Sequence, residues 1–121
     1  EGTITHDPEL WPMRGKTGAA RLAFDTGCVV VPIGQWGAQE LMPGLKPSFP
    51  KLFPRKTLHV VAGDPVRLND LPTKAVTAAS LNEASRRIMD AITVLVAELR
   101  EATPPPHRYD PRSEMTTGDP T

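Results

Sequence analysis

The chain reads as an α/β protein: a mostly parallel sheet flanked by helices, with a long amphipathic helix towards the C-terminus. Three observations predict this. The small-residue segment Gly18-Ala-Ala-Arg-Leu-Ala-Phe-Asp-Thr26 is followed, after one glycine, by the unbroken apolar run Cys28-Val-Val-Val-Pro-Ile33. A continuous β-branched run implies a strand buried on both faces, as in a parallel sheet. Thr57-Leu-His-Val-Val-Ala-Gly63 reads as a second strand, stopped by Gly63-Asp64-Pro65. Over residues 77–101, Leu81, Ile88, Ile92, Leu95 and Leu99 recur at helical spacing, with Ala84 filling the gap. Helix, glycine and strand make half of a βαβ unit whose first strand would precede Glu1.

In chain order, Ile4 to Met13 is loop, because Asp7-Pro8 and Trp11-Pro12 disfavour helix before each proline. Thr17 is placed to cap the first helix and Gly27 to end it in a left-handed conformation. Ala19, Leu22, Ala23 and Thr26 form its narrow face, with Ala20 and Phe24 beside it, small enough to lie close to a sheet. Pro32 removes a ladder donor and belongs near a strand end or an irregularity. Residues 38–55 are irregular, with prolines at 43, 47, 50 and 54, a length of loop that is often functional. Ser80-Leu-Asn-Glu83 resembles a capping box, with a helix start one turn earlier as the alternative. Glu83 with Arg87 and Arg86 with Asp90 are four-apart ion pairs on its solvated side. Residues 1–102 form the domain. Residues 103–121, opening on Pro104-Pro105-Pro106, read as a Pro-rich disordered tail without a core of its own.

Composition narrows the function. Fourteen prolines in 121 residues is well above the usual ~5%. Fourteen basic residues balance fourteen acidic ones, so no bulk charge points to nucleic acid or a membrane surface, and any electrostatic function is local. Cys28 is the only cysteine, so no intrachain disulfide forms, and its place at the head of an apolar run predicts a buried, inert thiol. No run approaches the ~18 apolar residues of a membrane span, and no basic stretch leads into an apolar core as in a signal peptide. The first residue is Glu with a loop motif flush against it, so a fragment lacking its upstream half is expected.

Glu1-Gly2-Thr3 offers a carboxylate, bare backbone and a hydroxyl in succession, and Arg14 and Lys16 stand just before a helix N-terminus, where a phosphate can be held. Two solvated cations are the plainer alternative. Gly15-Lys16-Thr17 is not a nucleotide phosphate loop, because the required glycine five positions earlier is Leu10. His59 and Asp64 have the spacing of an acid–base pair but flank a strand-terminating glycine, which reads as coincidence. His6 and Asp7 are adjacent with diverging side chains, and His107 lies in the tail. No histidine–cysteine–carboxylate group has metal-ligand spacing, so no metal or tightly held cofactor is expected. Between Leu41 and Lys56, Leu41, Met42, Leu45, Phe49, Leu52 and Phe53 mix with Lys46, Lys51, Arg55 and Lys56. This suits a surface touching acyl chains and anionic headgroups, or equally a loop covering the sheet edge.

Glu1-Gly2-Thr3 resembles the latter part of the Phe-Pro-Glu-Gly-Thr block of the glycerolipid acyltransferases, the 1-acylglycerol-3-phosphate O-acyltransferase group. Arg14-Gly-Lys-Thr-Gly-Ala-Ala-Arg-Leu-Ala23 is similar to the lysine-glycine-alanine helix that follows that block, and Val30-Val31-Pro32-Ile33 resembles its next, proline-bearing strand. Gln35-Trp36-Gly37-Ala38-Gln39-Glu40 is similar to actinobacterial members, and His59 to Val66 resembles a later strand ending in Gly-x-Pro. The resemblance implies the C-terminal part of an acyltransferase domain in residues 1–102. It implies transfer of an acyl group from acyl-CoA or acyl-carrier protein to a lysophosphatidate hydroxyl, in phospholipid biosynthesis. Peripheral membrane contact on the cytoplasmic face of the plasma membrane follows, with no nucleic-acid partner. Glu1 and Gly2, with Thr3, would bind the acceptor's glycerol phosphate. Many members carry arginine directly after Glu-Gly-Thr, where this chain has Ile4, which leaves Arg14 and Lys16 as candidates for the phosphate contact. The family's catalytic histidine, four spacers and aspartate lie upstream of this block and are absent, so this chain alone is expected to be inactive. The alternative is a non-enzymatic peripheral membrane or lipid-binding module.

Overall fold

The computed structural model of the chain describes residues 4–42, 49–72 and 74–115. Its elements are α1 (Gly18–Thr26), β1 (Ile33–Trp36), α2 (Ala38–Leu41), β2 (His59–Ala62), α3 (Ala78–Arg100) and α4 (Pro111–Met115). Helix α3 starts a turn before Ser80-Leu-Asn-Glu83. Thr77 is its N-cap, accepting from the Ser80 N–H at 3.1 Å, while the Ser80 hydroxyl accepts from the Thr77 N–H at 3.0 Å. Two of the four amides orphaned at a helix start are thereby satisfied. Glu83 is left for the guanidinium groups of Arg86 and Arg87, which it meets at 2.8 and 2.9 Å.

Of the expected helical stripe, Ile92 and Leu99 are only half-buried and the other members are buried. Leu81, Ala84, Ile88, Leu95 and Val96 are all buried, along 23 residues of helix. Its N-terminal half receives α1, and Ala20 of α1 and Ala84 of α3 both lose all solvent contact. Phe24, Val30, Val66, Leu68 and Leu71 close around them. Helix α1 therefore lies on another helix rather than on a sheet. Its buried face is Ala20 and Ala23, whereas Leu22 is exposed. Gly27 ends α1 at φ 68°, donating its N–H to the Ala23 carbonyl at 2.9 Å. Thr17 makes no side-chain cap bond.

The expected mostly parallel α/β sheet, and with it the partial glycerolipid acyltransferase fold, is overturned. The described residues hold two strands, and they run antiparallel, pairing Ile33 with Ala62 and Trp36 with His59. A parallel pair needs a crossover, usually a helix spanning the sheet. Between β1 and β2 the only described helix is the four-residue α2, so the chain turns back on itself. Most of the run Cys28–Ile33 precedes the ladder rather than forming it. The Val66 N–H donates to the Val30 carbonyl and the Gly63 N–H to Pro32, each at 2.9 Å. The partner offset grows by one residue between those two bonds, as at a bulge.

A single helical layer covers this ribbon, so only one face is buried. Gly34 faces α3, and Val31, Ile33 and Val60 are exposed on the other side at 48%, 57% and 65%. Burial on both faces was expected for a central strand, and this pair has no second layer among the described residues. Cys28 is likewise exposed rather than buried.

Gly34 sets the distance between helix and sheet. A Cβ built there would sit 2.7 Å from the Leu95 Cβ and 3.2 Å from the Leu95 carbonyl carbon. Neither neighbour is the free end of a flexible side chain, so the helix itself must move. Gly34→Ala is expected to destabilise the chain by about 1–3 kcal/mol through overpacking. Urea unfolding of the two proteins measures this, and equal midpoints would show that α3 is not seated on β1 as described.

Candidate functional site

The loop Ile4–Met13 is held by its own polar groups. Asp7 and Leu10 close a turn, Leu10 N–H to Asp7 carbonyl at 2.9 Å, and the Asp7 carboxylate accepts from the Glu9 N–H at 2.9 Å. The Thr5 hydroxyl accepts from the Asp7 N–H and donates to the Trp11 carbonyl at 2.6 Å. This explains why Asp7 is buried: it shapes the loop, and it is not directed at His6 as a catalytic partner.

Trp11, almost wholly buried, fastens the loop to the rest. The Arg100 guanidinium lies 4.0 Å from the centre of the Trp11 ring and 4.2 Å from that of Trp36. Its Nη1 also donates to the Glu9 carbonyl at 2.9 Å. One cation at the end of α3 thus joins the N-terminal loop to the end of β1, and it sits where the helix dipole favours positive charge. A cleft of about 600 Å³ opens between the joined parts. Ile4, Thr5, His6 and Leu10 line one wall; Gln35, Trp36, Ala38, Leu41 and Met42 line the other.

The residues expected at an acceptor site are distributed as follows. Glu1, Gly2 and Thr3 lie outside the described residues, and Ile4, next in the chain, is at the cleft. Arg14 lines a second cleft of about 390 Å³ with Asn82, Ser85, Arg86, Arg108 and Asp110. Lys16 lines a third, of about 310 Å³, with Thr5, Met13, Ala19 and Ile92. Arg14 and Lys16 therefore do not share a cleft. Ser85 stands between them, its hydroxyl donating to the Lys16 carbonyl at 3.1 Å, and Thr5 borders both the Lys16 cleft and the largest one.

Charge in the Arg14 cleft is balanced. Arg14 meets Asp110 at 2.7 Å, Arg86 meets Asp90 at 2.6 Å as well as Glu83, and Arg108 meets Asp90 at 2.6 Å. Three guanidinium groups face three carboxylates, so an arriving phosphate has to displace a carboxylate. The carboxylates respond accordingly. Hydrogen bonds from Arg86 and then Arg87 hold Glu83 at about 2, below its ordinary 4.5. Arg14 lowers Asp110, and Arg87 lowers Asp70. Residues 104–110 also reach this region, where the Tyr109 carbonyl accepts from the Arg14 N–H at 2.8 Å.

His59 is exposed on β2, and no hydrogen bond joins it to Asp64. Among the described residues no three histidine, cysteine or carboxylate side chains are grouped to hold a metal ion, and no helix is long and apolar enough to cross a membrane. The Trp11–Arg100–Trp36 stack was missed by sequence reasoning, because its members are far apart in the chain and carry no local periodicity. No protein-family model matches the chain, and no curated protein or solved structure matches it.

Two outcomes are expected. Arg100→Ala removes both ring contacts and should cost about 1–3 kcal/mol, with a red shift of tryptophan emission as Trp11 meets water; unchanged emission and unfolding midpoint would dissolve the stack. Glu83 has a depressed pKa, so its stabilising contribution is complete above 4.5 and is lost as pH falls towards about 2. Melting temperature should drop across that window, and drop less in Glu83→Gln; superimposable pH profiles would contradict the pairing.

Proposed function

We propose that the chain supplies the acceptor-binding part of an acyltransferase. The acyl group moves from acyl-CoA or acyl-carrier protein to the free hydroxyl of 1-acylglycerol-3-phosphate. The observation that carries this reading is the cleft of about 600 Å³ that begins at Ile4 and Thr5, immediately after Glu1-Gly2-Thr3. Its size falls in the ~300–1,000 Å³ range of ligand sites, and Leu10, Trp36, Leu41 and Met42 give it walls suited to an acyl chain. Thr5 leads from it to the cleft that holds Lys16. In this reading the acyl chain occupies the apolar cleft, the phosphate lies towards Lys16, and the Glu1 carboxylate accepts from a glycerol hydroxyl. Lys16 is taken for the phosphate because Thr5 borders both its cleft and the large one, whereas Arg14 lines a separate cleft.

In this reading the described residues do not supply the base for the chemical step. A histidine oriented by an aspartate, contributed from outside these residues, takes the hydroxyl proton. The alcohol oxygen attacks the thioester carbonyl, and the thiolate leaves with that proton.

A second reading, a lipid-binding module without chemistry, is favoured by the exposure of Phe49 and Phe53, which flank Lys51, whose N–H donates to Leu41 of the cleft wall. Both readings require the cleft to hold a single-chain amphiphile, and Trp36 in its wall reports occupancy. Lysophosphatidate is expected to shift Trp36 emission saturably in the Trp11→Phe protein. Ala38→Phe, which fills the cleft, should abolish the shift, and Lys16→Ala should weaken binding about tenfold, the loss of one charged hydrogen bond. An unresponsive Trp36 would sink both readings. Turnover separates them: in a protein carrying the chain behind a His-x-x-x-x-Asp block, Glu1→Ala should raise the acceptor KM. Transfer by the chain alone, lost in His59→Ala, would reverse the assignment of the base.

A further inference from the structure

Residues 49–56, which lead towards β2, present side chains that the fold does not use. Phe49 is 95% exposed and Phe53 88%, with Leu52 also exposed. Lys51, Arg55 and Lys56 alternate with them, and none of the three pairs with a carboxylate among the described residues. The acidic residues that flank it in sequence, Glu40 and Asp64, both lie outside residues 49–56, so the patch is net positive.

Two large rings left in water forfeit the burial they would gain against any apolar phase. A protein partner is the poorer match. Protein interfaces gather apolar residues in a core depleted of lysine and put charge on the rim, whereas here each apolar residue has a cation within two positions. A bilayer interface has that mixed chemistry in every square nanometre, acyl chains beneath anionic phosphates. We infer that Phe49, Leu52 and Phe53, with Lys51, Arg55 and Lys56, form a docking surface for an anionic lipid bilayer.

The surface is tied to the large cleft. The Lys51 N–H donates to the Leu41 carbonyl at 2.8 Å, and Leu41 and Met42 line the cleft wall. A bilayer engaged by the two rings therefore lies beside the cleft, and an amphiphile can pass from one to the other with its acyl chain out of water. The docking surface stands on its own residues, whatever the cleft binds.

Sedimentation of the full chain with vesicles tests it without any acyl substrate. Binding should be strong on phosphatidylcholine vesicles that contain phosphatidylglycerol, weak on phosphatidylcholine alone, and reduced by salt. Each cation removed should cost about fivefold and each phenylalanine about tenfold. Phe49→Ser/Phe53→Ser and Lys51→Glu/Arg55→Glu change only exposed positions, and their melting curves check that the fold is intact. Equal binding to neutral vesicles, or undiminished binding by either folded variant, overturns the proposal. Concentration-dependent self-association of the wild type, abolished by the Phe49→Ser/Phe53→Ser pair, overturns it in favour of an interface between copies.

Discussion

The apolar stripe of α3 carries the structure. Leu81, Ala84 and Ile88 receive α1 and the segment after β2, and Leu95 and Val96 receive the ribbon. Each large member contributes about 1.5–3 kcal/mol by burial. The ion pairs on its solvated side are more conspicuous yet secondary, because water screens exposed pairs. This ranking explains the architecture. Both α1 and the strands are too short to stand alone, and each is ordered because it covers part of one long helix. Where the stripe ends, Arg100 extends its reach to two tryptophans that no other element would bring together.

That terminal contact is also what makes a cleft. The loop Ile4–Met13 has an internally bonded turn, but nothing in the turn itself determines which neighbour it leans on. Trp11 and the Glu9 carbonyl, both held by Arg100, place it opposite the end of β1. The space left between them is lined by side chains from two distant parts of the sequence. The arginine-rich cleft has the opposite logic. It gathers cations, but its carboxylates came with them, and the result is a brace between α3, the loop at Arg14 and the chain after α3.

What was legible in the sequence was periodic or local. The helical stripe, the left-handed Gly27, the ion pairs four residues apart and the start of α3 a turn before Ser80 all depend on neighbours within a turn or two. The sheet was misread for a physical reason. A run such as Val29-Val30-Val31 announces apolar surroundings, but it cannot say whether a strand's neighbours run parallel, nor how many layers cover it. Register and direction were set by a return of the chain through residues 37–58, which has no period to read. Cys28 was misplaced by the same inference, since burial was assigned to the whole run, whereas its first two residues, Cys28 and Val29, lie exposed between α1 and the ladder. The cleft was not legible, because Trp36 and Arg100 had to be brought to the loop at Ile4 and Thr5 by the fold.

The uncovered face of the ribbon has a consequence for how this chain behaves in solution at high concentration. Two strands with an apolar outer face, and no further strand paired to them among the described residues, are a template for added strands, the usual route to ordered aggregation. The template is short. Pro32 stands immediately before β1, and Pro65 lies just beyond β2, so neither position can donate to an added strand. The ladder available to a neighbour is limited to about four residues on each side. Two prolines thus act as gatekeepers for a surface that the fold leaves open.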